Sequence, residues 1–173
     1  MTDLSLPAGP RDHVRGAADA AVTLVEYADV ECPYCRRLAP VLQQVLTRRP
    51  RVRLVYRHFP LVREHPLAYS AALALEAAGQ QGRFWELHDR VLSEPARLGR
   101  SGLAEHATQL GLNPAELLRP ASEQHDGKVR EDFQSGMDSG VQGTPGVFVN
   151  GLRLLRAPTL PQLLDAVDRA AAP

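Results

Sequence analysis

The chain contains two cysteines, and both fall within Glu31-Cys32-Pro33-Tyr34-Cys35. Such a pair can bridge itself, hold half of a metal site, or trade a disulfide with another molecule. The surroundings favour exchange. A β-rich run, Ala21-Val22-Thr23-Leu24-Val25-Glu26-Tyr27, ends just before the pair, and a helical pattern opens at it. At a helix start the unpaired N–H groups and the dipole favour an anion, here a Cys32 thiolate. Such sites bring a thiol from about 8.5 to between roughly 3.5 and 7.5. At about 1.36 kcal/mol per unit, that is roughly 1.4 to 7 kcal/mol toward the charged form. Cys35 lies one turn deeper, within reach of a mixed disulfide on Cys32. The spacing therefore predicts Cys32 as nucleophile and Cys35 as resolving thiol. Asp29 and Glu31 place negative charge beside Cys32 and are expected to raise its pKa somewhat; neutral Tyr34 cannot offset them.

Holding two thiols this way takes a helix with a sheet behind it. Pro33 suits the first helical turn, where a missing N–H costs nothing. Leu38, Val41, Leu42, Val45 and Leu46 then repeat at three and four, one apolar helix face that Pro50 ends. Residues 52–59 alternate as a second strand and stop at Pro60. Strand, helix, strand predicts a β-α-β unit with a parallel strand pair. Residues 1–20 are rich in Pro, Gly, Ala and Asp, show no period, and read as an N-terminal arm.

Residues 61–141 carry only helical patterns, an all-helical insertion. Leu67, Ala71, Leu75 and Ala78 form one face, Phe84, Leu87, Val91 and Leu92 a second, and Leu103, Ala107 and Leu110 a third. Trp85, with Phe84 and His88, is expected as core between these helices. Asn113-Pro114-Ala115-Glu116 has the cap, proline and acid of a helix start. Val129, Phe133 and Met137 line a last helix. Strands resume at 146–149 and 152–155 around Asn150-Gly151, a strong hairpin signal. Thr159-Leu160-Pro161-Gln162 is a capping-box start for a final helix with Leu163, Leu164 and Val167 inward. Residues 21–60 and 142–173 thus make one α/β domain ordered β-α-β, insertion, β-β-α.

At 173 residues the chain can bury about 70% of its unfolded surface. It needs no disulfide to fold, so its thiols are available for other work. Twenty basic side chains balance twenty acidic ones, which argues against a nucleic-acid partner. No apolar run reaches the roughly eighteen residues of a membrane span. The opening residues lack a basic start and an apolar core, so the expected compartment is the cytoplasm. There a Cys pair is catalytic or metal-binding more often than structural. A monomer or weak dimer is expected.

Cys-Pro-Tyr-Cys after a Val-Glu-Tyr strand and Gly143-Thr144-Pro145-Gly146 before the hairpin together resemble the thioredoxin superfamily. The insertion, with Tyr56-Arg57-His58-Phe59-Pro60-Leu61 and the run from Gly143 to Gly151, makes the chain similar to the DsbA-like thiol-disulfide oxidoreductases. The likeness runs from about Asp12 to the end. It implies a thioredoxin fold with a large helical insertion. It also implies a cis Thr144–Pro145 bond packed on the cysteines, with the Thr144 backbone free to bond an extended substrate segment. Pro33, Tyr34, Thr144 and Pro145 would meet the substrate. Glu26 would be the buried acid that passes a proton to or from Cys35, its pKa raised by burial. Arg57 or His58 would be the cation that tunes it, and Glu31 would tune Cys32. The partners implied are protein or low-molecular-weight thiols and disulfides, with no metal or other cofactor. A potential between about −270 and −120 mV, the thioredoxin and DsbA values, is expected. The absent export address favours a reductase or repair role inside the cell.

Two other readings belong to different classes. One is a glutathione-transferase-like or isomerase activity on the same scaffold, which would need no resolving thiol. The other is a zinc module joining the Cys pair to His58, His65 or His88, against which stands the lack of a second Cys pair.

Overall fold

The computed structural model describes residues 3–119, 123–154 and 158–172. Its first strand lies inside the expected arm: His13–Gly16 (β1) pairs antiparallel with Val52–His58 (β3). Four residues alternating between half-buried and exposed are too short a run to show a period. The preceding segment is also tied down. Asp3 and Leu4 donate their N–H groups to the Gly151 carbonyl, and Ser5 bonds Ser135 and Ser139.

Val22–Ala28 (β2) runs parallel to β3, as the β-α-β pattern predicts, with Glu26 opposite Tyr56. On its other side it pairs antiparallel with Gly146–Val149 (β4), which turns into Leu152–Leu154 (β5). The sheet order is β1-β3-β2-β4-β5. Asn150 and Gly151 both have positive φ, 46° and 84°, as a tight hairpin requires. Leu155, expected in the last strand, lies outside the described residues.

Helices cover both faces. On one, Pro33–Arg48 (α1) buries Cys35, Leu38, Leu42 and Val45, and Leu160–Ala171 (α7) adds Leu163 and Val167 beside Val22, Leu24 and Leu54. The Thr159 N–H donates to Gln162 Oε1 at 2.9 Å, one half of the expected capping box. Between β3 and β4 in chain order come Ala68–Gln80 (α2), Phe84–Ser93 (α3), a single 3-10 turn, Arg100–Gln109 (α4), the one-turn Pro114–Leu117 (α5) and Glu123–Asp138 (α6). Their apolar core reaches Cys32, Cys35 and Tyr56, so the insertion packs directly on the thiol end. On the opposite face α6 covers Val25, Tyr27, Val55 and Phe148, with Phe133 stacked on Phe59 at 4.5 Å.

Two packing expectations are corrected. Met137 is 50% exposed. The neighbour that meets the sheet is Gly136, where an added Cβ would lie 2.6 Å from the Phe59 ring. Trp85 is only half-buried: its Nε1 donates to the Val14 carbonyl at 3.0 Å, and the Arg15 guanidinium stacks on it at 4.3 Å. It seals α3 against β1 as well as packing among the insertion helices.

Candidate active site

Cys32 caps α1 in extended conformation, with Pro33 as the first helical residue. Pro33 imposes no loss there, because that N–H would have no helical acceptor. Both cysteines are reduced and buried. The Cys32 sulfur lies 3.5 Å from the Thr144 carbonyl oxygen, to which it donates while it is protonated. Thr144 precedes Pro145 across a cis peptide bond. The loop before β4 therefore closes over the N-terminus of α1.

Hydrogen bonding lowers the Cys32 pKa to about 5: first from the Cys35 thiol, then from Thr144 and the N–H groups of Cys35 and Tyr34, against the opposing effect of burial. Burial drives the Cys35 thiol the other way, well above its ordinary value, and the charges of Glu26 and Cys32 add to that. Glu26 lies on β2 and is 3% exposed. Burial, then the Cys32 charge, raises it to about 8. At neutral pH the three groups thus hold mainly one negative charge, on Cys32.

The other sequence-predicted positions fall into two sets. Tyr34 is 58% exposed beside Cys32, its ring under the Arg37 guanidinium at 4.6 Å. Glu31 and Asp29 are structural ties. Glu31 Oε2 accepts the Leu67 N–H at 2.8 Å, and Asp29 Oδ2 accepts from Leu61 N–H and His65 Nδ1. They fasten segment 61–67 to the active-site turn, and neither is among the main causes that set the Cys32 pKa, which hydrogen bonding brings down.

Neither Arg57 nor His58 is the cation of Glu26. Parallel pairing sets Arg57 opposite Tyr27, on the face away from Glu26. Its guanidinium, 1% exposed, bonds both oxygens of Asp12, the Leu6 and Pro7 carbonyls and the Tyr27 hydroxyl. His58 Nε2 is 2.8 Å from Glu76 Oε1. The histidines of the zinc reading are engaged elsewhere: His58 with Glu76, His65 with Asp29, His88 with Asp89.

Sequence reasoning passed over Asp12, Glu76 and Asp132, all partners of buried groups. Glu76 carried a signal: a lone acid in Ala74-Leu75-Glu76-Ala77-Ala78, on a helix that buries nearly every other residue there. A charge in such a run implies a buried partner. A cavity of about 340 Å³ between α1 and α3 also reaches Glu26, lined by Arg36, Ala39, Leu54 and His88 among others.

A family profile described as thioredoxin matches residues 9–169. The chain belongs to the thioredoxin family. Among solved structures, this thioredoxin-family chain is similar to a thioredoxin-like oxidoreductase from Silicibacter pomeroyi DSS-3. The two are 31% identical with a TM-score of 0.86, over 94% of this chain and 93% of that one. It is also similar to DsbA2 from Pseudomonas aeruginosa, at 28% identity and a TM-score of 0.80, over 94% and 96% of the two chains. The fold is thus a thioredoxin fold of the DsbA-like kind, with helices inserted between β3 and β4. Among curated proteins it is 43% identical to the Na(+)/H(+) antiporter NhaA 1 of Salinispora arenicola over 175 residues, 99% of this chain and 27% of that protein. The thioredoxin-family chain therefore spans about a quarter of the length of the curated relatives it matches. Among the described residues no helix is long and apolar enough to cross a membrane.

Proposed function

We propose that the chain is a dithiol–disulfide oxidoreductase acting through Cys32 and Cys35 on protein thiols and disulfides. One observation carries this: a thiol lowered to about 5 at a helix N-cap, hydrogen-bonded to a second thiol that burial keeps protonated. In the reducing direction the Cys32 thiolate attacks a substrate disulfide. A Cys32–substrate S–S bond forms and the first substrate thiolate leaves. The negative charge of Cys32 is then gone, which removes one of the two causes that raise Glu26. Glu26 ionises more readily at that moment and can accept the Cys35 proton. The Cys35 thiolate attacks Cys32 Sγ, the Cys32–Cys35 disulfide forms as the Cys32–substrate bond breaks, and the second substrate group departs as a thiolate that takes a proton from solvent. Oxidation of a substrate dithiol is the same sequence reversed.

Substrate contact falls to Pro33, Tyr34, Thr144 and Pro145. Exposed Tyr34 on α1, with Val62 and Leu67 on the segment that Asp29 and Glu31 hold in place, extends the apolar surface. This supports an unfolded or extended protein segment as the partner.

A Cys32 pKa of about 5 lies between the values of about 7 for thioredoxin and about 3.5 for DsbA. It supports a potential between roughly −270 and −120 mV. The likeness to a DsbA2 weighs against the cytoplasmic compartment and reductase role expected from the sequence, because DsbA serves the oxidising bacterial periplasm. The antiporter names belong to much longer proteins, and no transport activity is carried over.

The test is equilibration with glutathione buffers, with turnover of a protein disulfide measured alongside. An intermediate potential with turnover is expected. Absence of exchange would overturn the function, and a potential at or below that of thioredoxin would overturn the poise.

A further inference from the structure

We propose that His13, His58 and Glu76 form a zinc-binding site separate from the two thiols. The three residues come from β1, β3 and α2. Both imidazoles turn Nε2 toward one carboxylate oxygen: His13 at 2.7 Å and His58 at 2.8 Å from Glu76 Oε1. The ligand atoms all lie within 4.8 Å of one another. A tetrahedral zinc with bonds near 2.0–2.1 Å sets its ligands roughly 3.3 Å apart, so each contact opens by about half an ångström to admit the ion.

The rings are already held in orientation. His13 stacks on Phe84 with centroids 3.5 Å apart and planes within 7°. Gly79 gives that ring room, since a Cβ there would lie 2.9 Å from His13 Cε1. His58 packs edge-on against Tyr56 at 5.2 Å and Phe84 at 6.0 Å. Little side-chain freedom is left to lose on binding, which favours affinity.

The donor set selects the metal. Two imidazole nitrogens with one carboxylate suit zinc, whereas magnesium and calcium take oxygen ligands. Three protein ligands leave a fourth position for water. The His13 side chain is 19% exposed against 1% for His58, so the ion enters from the β1 side. On binding, each ring carries its proton on Nδ1 and offers the Nε2 lone pair. The thiol chemistry uses none of these groups. The ion would join the edge strand, the central sheet and the first insertion helix at one point.

The experiment uses the untagged full chain with Cys32→Ser and Cys35→Ser, so that no thiolate can contribute. Cobalt(II) and zinc(II) chlorides are titrated in, with visible absorption and thermal melting as readouts. One equivalent of cobalt should give a tetrahedral d–d spectrum without a thiolate charge-transfer band. Zinc should displace it and raise the Tm. His13→Gln keeps an amide donor for Glu76 and spares the buried His58. It should weaken binding more than about 100-fold, beyond the usual effect of an outer-shell change, and remove the Tm shift. Failure of the parent to bind either metal overturns the site, as does a His13→Gln weakening of less than about tenfold.

Discussion

The Cys32 sulfur stands 3.5 Å from the Thr144 carbonyl oxygen, across 112 residues of sequence. A helix start and a loop before a distant strand meet there, and Cys35 lies beneath them. In the proposed reaction, a partner that reaches Cys32 lies along the Thr144–Pro145 loop.

The division of labour between the thiols is testable by substitution. Cys32→Ser should abolish dithiol exchange. Cys35→Ser should accumulate a mixed disulfide, visible as a mass-shifted species on non-reducing gels and released by a small thiol. Full turnover of a protein disulfide by Cys35→Ser would sink the two-cysteine mechanism.

Alkylation should report the Cys32 thiolate directly. With its pKa at about 5, the iodoacetamide rate should be flat from pH 7 to 9 and fall about tenfold per unit below pH 5. The linkage sign follows. A depressed folded pKa stabilises the reduced protein fully above the unfolded thiol value, and that gain is lost as pH falls through about 5. Denaturation of the reduced protein across pH 4 to 9 should show it after subtraction of the Cys32→Ser curve.

Glu26 has the opposite sign. Its folded pKa of about 8 lies above the unfolded 4.5, so the native state holds the extra proton between those values and loses stability as pH rises. Glu26→Gln should match the parent near pH 4 and exceed it at pH 7, by at most about 3 kcal/mol. The same variant should slow resolution of the mixed disulfide by Cys35. Urea unfolding at the two pH values and stopped-flow exchange would measure these effects.

Arg57 should matter for stability and leave the redox step alone. Removing one partner of a buried, hydrogen-bonded pair costs about 3–5 kcal/mol, and Arg57→Ala should fall in that range by urea unfolding. The pH profile of mixed-disulfide resolution should stay in place, because Arg57 faces away from Glu26. A displaced profile would restore Arg57 as the cation of that acid.

The thiol pair, the Glu26 strand and the hairpin were legible because each rests on local rules: a helix start, a β-rich run, an Asn-Gly turn. The choice between Arg57 and His58 needed register. Once β2 and β3 are parallel with Glu26 opposite Tyr56, alternation alone sends Arg57 to the far face. The partners Asp12, Glu76 and Asp132 lie 45, 18 and 74 residues from the β3 groups they bond, and no local pattern encodes such a distance. In the sequence, Asp29 and Glu31 are charges beside a thiol. Their hydrogen bonds to Leu61, His65 and Leu67 exist only once the insertion folds back over the turn.

The anchoring of residues 3–16 makes the beginning of the domain inexpendable. Cutting before Val22 would take away every Arg57 bond described above except the one to Tyr27. It would also strip β1 from β3 and leave an open row of N–H and C=O groups, the kind of bare edge through which sheets aggregate. A shortened or fused version that stays in solution should begin ahead of Asp3.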